Sequence, residues 1–286
     1  MNLESQESKS MRVTGVGHLL FALGLAGLGV LSLFSGDFPY SWEPVPLWVP
    51  GRELLAHLSG ILVLAGGVGL LIKRTAGLAA AILAVYLLGW VLVLQAPLAA
   101  HAPGDVGAWL GLAESTFLFS GGWILSALLA GPRTRARVPL LTGEGAMRFA
   151  RVLFGLACLP LGLSHFVYSS VTAGMIPAWI PAHLGFAYFT GACHFATGLC
   201  VLFGVFPRLA ATLEAVMISL FVLLLHIPAA TAAPASRMMW TMVFVATALA
   251  GAVWANAASL KNTAWSSTFW SSQTAKLRVV RRPQEM

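Results

Sequence analysis

Apolar residues run along this chain in eight unbroken stretches, near 12–34, 53–72, 75–95, 106–130, 149–169, 182–204, 207–227 and 237–257. About 30 Å of hydrocarbon takes roughly 20 helical residues to cross, and each stretch meets that length. The stretches are continuously apolar, without the alternation of a transmembrane barrel strand, so the pattern predicts helices. The expected fold is an all-α integral membrane protein with eight transmembrane helices.

The pattern also repeats. PLWVP at Pro46 returns as PAWIP at Pro177, which sets Trp48 131 residues before Trp179. At the same spacing Gly60 meets Gly191, Gly67 meets Gly198, Pro97 meets Pro228, Trp109 meets Trp240 and Trp123 meets Trp254. Between Leu71 and Pro97 the register slips, since Arg74 and Arg208 lie 134 apart. Two tandem four-helix units are therefore expected. Four crossings per unit return the chain to its starting side, so both units take a parallel orientation about an axis along the membrane normal. The chain divides into an N-terminal segment 1–11, a first unit 12–130, a linker 131–147, a second unit 148–257 and a basic tail 258–286.

Composition narrows the setting. Hydrophobic residues make up 58% of the chain and charged residues 9%, too few charges to coat a water-soluble globule of 286 residues. Of the 17 Lys and Arg residues, only Arg52 and Arg237 fall on one side of the eight-span arrangement. The positive-inside rule then puts both termini in the cytoplasm. The net charge of +7 sits where loops face anionic lipid, so the partner it implies is the bilayer and not nucleic acid. The first apolar run is too long for a signal-peptide core and reads as a retained span.

Cys158, Cys193 and Cys200 all fall inside spans and form no CxxC pair, which reads as packing and not redox chemistry. Recurrent glycines in the spans read as close helix contacts. Prolines cluster at the expected helix ends, which counts against the broken helices of many transporters. Loops 35–51 and 170–181 are rich in Pro and Trp and are expected to fold over the outer end of the bundle as a partial lid. The tail, with Trp265 and Trp270, is expected at the inner surface.

Polar residues within the spans carry the functional signal, because hydrocarbon makes them costly. His194 and Glu214 lie at similar distances from the turn near Val205, so antiparallel neighbours bring them level. They form either a proton relay or a polar clamp that fixes packing; the clamp is favoured because only the second unit carries the pair. A second group gathers at the outer helix ends: Arg52, His57, Glu114, His165, His183, His226 and Arg237. Glu114, about 12 Å down its helix, is too deep to snorkel easily. A pocket that uses Glu114, His226 and Arg237, with His57, Arg52 and His165 around it, could receive a quinone headgroup or a small oxyanion. Arg237 and His226 would approach across a short loop, one supplying fixed charge and the other handling a proton. The histidines lack ligand spacing, so no metal is expected. No haem, flavin or nucleotide motif points to another cofactor.

MIPAWIP at Met175, AYFTGACHFATGL at Ala187, RLAA at Arg208, LLLHIP at Leu223 and RMMW at Arg237 resemble the DoxX family of small bacterial membrane proteins. PYSWEPVPLWVPGREL at Pro39 and WLGLAES at Trp109 look like a divergent copy of the same four-helix unit. The matching positions are Pro177, Trp179, Pro181, Gly191, Gly198, Arg208, His226, Pro228, Arg237 and Trp240. The resemblance implies a bacterial inner-membrane location and a membrane subunit or accessory of a quinone-linked oxidoreductase or oxidant-defence system, with electrons supplied by a partner protein. The first unit has Gln95 and Val106 where the second has His226 and Arg237, so a His/Arg site would be single. The alternative is a non-enzymatic protein that binds or carries a lipid or small amphiphile in a cleft between the units.

Overall fold

A computed structural model describes residues 3–268; the basic end of the tail and Trp270 lie outside the described residues. Eight helices are long and apolar enough to span a membrane: α1 (Gly15–Ser35), α2 (Arg52–Leu71), α3 (Ala76–His101), α4 (Val106–Leu129), α5 (Glu144–Val167), α6 (His183–Phe203), α7 (Pro207–Ala232) and α8 (Arg237–Ser259). A helical kink at Gly15, where φ is +32°, separates α1 from the helical stretch before it. No strand occurs among the described residues.

Neighbours in sequence pack as neighbours in space, and the ring closes through α1 against α8 and α4 against α5. Across its middle α4 meets α8, where Asn256 Nδ2 donates to Ser120 Oγ at 3.3 Å. Small residues permit these approaches. A Cβ on Gly198 would lie 2.7 Å from the Gly155 carbonyl oxygen, so α5 and α6 can meet this closely only with glycine there. The outward faces remain apolar: Leu78, Val85, Val93, Leu213 and Leu223 are all exposed. Surface of this kind on every side needs an apolar solvent, and the chain is a multi-pass membrane protein.

Two helices run further than their prolines suggested. The expected ends were 95 and 227, just before Pro97 and Pro228, yet α3 reaches His101 and α7 reaches Ala232. Each contains one wide turn, Trp90–Gln95 in α3 and Val222–His226 in α7. Ala96 N donates to Val91 O and Ile227 N to Val222 O, five residues back in both cases. Each proline then enters the first turn of a new helical segment, where its missing N–H costs little. Pro160 lies inside α5, so prolines are not confined to helix ends. The linker also shortens, because Pro132–Arg137 and Pro139–Thr142 are helical and α5 already begins at Glu144.

The wide turns lie 131 residues apart, and other features keep the same spacing. Asp105 caps α4 by accepting from Gly107 N, and Ser236 caps α8 by accepting from Met239 N. The indole N–H of Trp109 donates to Pro103 O, and that of Trp240 to Pro234 O, both at 3.0 Å. The loops that join α1 to α2, α3 to α4, α5 to α6 and α7 to α8 share one face of the bundle, called the distal face below.

Candidate functional site

The first long distal loop is held by side chains. In loop 36–51, Asp37 is paired with Arg52, and its second oxygen lies 3.4 Å from Arg237 Nη1. Arg237 Nη2 also donates to Phe38 O at 2.5 Å, and its guanidinium covers the Tyr40 ring at 4.5 Å. Burial pushes the Asp37 carboxyl up, but the Phe38 N–H and the two guanidiniums outweigh it and hold the group below its ordinary value. Two residues of this loop then turn inward. Glu43 is buried between α2 and α3, where Ser59 Oγ donates to both its oxygens at 3.0 and 2.9 Å and Tyr86 OH donates to Oε1 at 2.6 Å. Burial raises its pKa to about 7 against the opposing effect of those hydroxyls. Trp42 points the other way, and its indole N–H donates to Glu114 Oε2 on α4 at 2.5 Å.

The space between α2 and α3 is thus filled by a side chain of loop 36–51, whereas α5–α8 leave an open space. A cavity of about 660 Å³ lies within α5–α8 and is closed on one side by Leu110, Glu114 and Trp42. It runs from Val171, Ile176 and Ile180 of the second distal loop down to Leu161, Met217 and Leu249. Most of its wall is aliphatic or aromatic, and the ionisable side chains on it are Glu114, His165, Tyr168, His194 and His226. An apolar chamber with a few convergent polar groups is the usual form of a small-molecule site.

The wide turn in α7 decides where His226 points. It shifts the helical register by one residue just before Pro228 and places His226 on the cavity wall, with no hydrogen bond to another described residue. His165 is fixed from α6: its Nδ1 lies 2.9 Å from Thr190 Oγ1. Deeper still, His194 Nδ1 meets Glu214 Oε1 at 2.5 Å, and the His194 ring stands edge-on to His165 with centroids 4.9 Å apart. His194 Nε2 and Glu214 Oε2 are buried without protein partners.

Of the residues singled out from the sequence, Glu114, His165 and His226 share this cavity, and the His194–Glu214 pair adjoins its inner end. Arg237 and Arg52 do not line it, because both guanidiniums are engaged by Asp37 and its loop. The expected approach of Arg237 to His226 is replaced by that clamp. His57 is also elsewhere, with Nδ1 on Glu53 O at 2.8 Å, and His183 contacts Pro177 O at 3.2 Å. The cavity lies mainly among α5–α8, not in a cleft between them and α1–α4. No group of three metal-ligating side chains is found among the described residues.

Four important residues escaped sequence reading. Asp37 and Glu43 look like ordinary loop acids, and Tyr86 and Thr190 look like span residues of mild polarity. The signal that was available is the acid in WEP at Trp42, an ionisable group in a loop whose prolines and aromatics forecast folding back onto the bundle. Comparison with known proteins gives no match, whether to family models, curated proteins or solved structures.

Proposed function

We propose that this cavity binds the ring of a quinone-type amphiphile, and that the protein serves as an inner-membrane subunit or accessory of a quinone-linked oxidoreductase. The observation that carries the reading is the convergence of Glu114, His165 and His226 on one mostly apolar chamber beneath a distal loop. A polar ring with an apolar tail matches that division of surfaces, and the three side chains provide hydrogen bonds and proton exchange at the ring oxygens. The resemblance to the DoxX family in the second unit supports the same class of function, and so does the basic asymmetry that sets the termini in the cytoplasm and the distal face outward. Wide turns, caps and indole hydrogen bonds at one common spacing support a tandem origin of the two units. The first unit is then a copy whose chamber is plugged by Glu43.

A non-enzymatic carrier of lipid or small amphiphile is the alternative, favoured by the apolar length of the same wall. The test is binding of a short-chain quinone analogue to the purified protein. His226→Ala should weaken it roughly tenfold, the loss expected for a buried hydrogen bond, with melting behaviour retained. Wild-type affinity in that variant would remove the quinone reading and leave the carrier.

A further inference from the structure

The hydrogen-bonding capacity of the cavity wall is lopsided. Each hydroxyl on it already directs its proton into the protein: Ser164 Oγ donates to Leu161 O at 2.7 Å, Tyr168 OH to Asp105 Oδ1 at 3.3 Å and Thr172 Oγ1 to Tyr168 O at 3.3 Å. The indole N–H of Trp42 is held by Glu114. Neither Lys, Arg, Asn nor Gln lines the chamber. Apart from the Glu114 carboxyl and the imidazoles, the wall therefore lacks a free donor for a ligand.

Acceptors are present instead. Thr190 Oγ1 lies 2.9 Å from Phe186 O and 3.1 Å from Ala187 O on its own helix, so its single proton goes to a carbonyl. Its lone pair then takes the Nδ1 proton of His165, which fixes that imidazole as the Nδ1–H form with Nε2 a bare acceptor. Glu114 keeps Oε1 free of protein hydrogen bonds while Oε2 takes the indole. His226 alone can either give or take, since no partner fixes its tautomer.

We infer that the cavity selects a headgroup that donates hydrogen bonds, so that its preferred occupant is the hydroquinone form of the ring and not the quinone. The inference rests on the proposed function and sharpens it to one redox form. A hydroquinone brings an O–H donor that His165 Nε2 is fixed to accept, whereas a quinone carbonyl finds no donor there and must turn to His226 or to a protonated Glu114. Anionic headgroups are disfavoured on the same ground, because the cavity offers them no fixed cation.

The test is anaerobic binding of a short-chain benzoquinol and of its quinone to the purified full-length protein. Wild type should hold the quinol roughly tenfold more tightly, the effect of one well-made against one unmade hydrogen bond. Thr190→Val leaves the His165 ring in place but frees its tautomer, so it should narrow the gap while both forms still bind. Quinone bound as tightly as quinol by wild type would overturn this inference and leave the proposed function standing. An undiminished gap in Thr190→Val would overturn the assignment to His165. If neither form binds, both readings fall.

Discussion

Buried polar contacts at single residues set several properties of the bundle. His194 and Glu214 are 1% exposed each, and removal of either leaves the other without its partner in a low-dielectric interior. Glu214→Gln and His194→Ala should each cost about 1 to 3 kcal/mol, and the double variant should cost clearly less than their sum. Melting of the three variants in detergent checks this, and strict additivity would mean that the two side chains act independently. Glu43 makes a different demand. Its folded pKa is raised from 4.5 to about 7, so the folded state holds a proton that the unfolded chain releases between those values. Its contribution is complete below about pH 4.5 and is lost as pH rises through about 7. Stability should therefore fall across that window, and Glu43→Gln should flatten the fall; an identical pH profile in the variant would contradict the assignment.

At the scale of elements, the distal loop 36–51 depends on one carboxylate held between two arginines from different parts of the chain. The same loop delivers Trp42 to the cavity and Glu43 to the first unit. Asp37→Ala should loosen it, and hydrogen exchange should then rise over residues 38–45 while the helices keep their protection. Unchanged exchange there would show that Phe38, Trp42 and Glu43 hold the loop without the clamp. The eight spans themselves were legible in the sequence, because each is an apolar run of sufficient length. Their ends at Pro97 and Pro228 were not. Proline forecasts a stop, but a wide turn placed just before it supplies a new helix start, and no composition rule marks that turn. The level meeting of His194 with Glu214 follows from counting back from one tight turn. The partners of Arg237 could not be counted, since Asp37 is 200 residues away and only the packing of α1 on α8 brings them together.

For the whole molecule, the central feature is asymmetry between helices α1–α4 and helices α5–α8. One set is filled by the carboxyl of its own loop, and the other encloses about 660 Å³ beside Glu114, His165 and His226. The sequence showed the similarity through its Trp and Pro spacing but not the asymmetry, which depends on where one loop side chain points. A photoreactive quinone analogue, cross-linked to the purified protein and mapped by mass spectrometry, tests the account most directly. Label is expected on segments 161–180 and 217–226, displaced by excess unlabelled analogue, with none above background on segment 59–86 of the first unit. Label spread equally over both units, or insensitive to competition, would contradict a quinone site in the second unit.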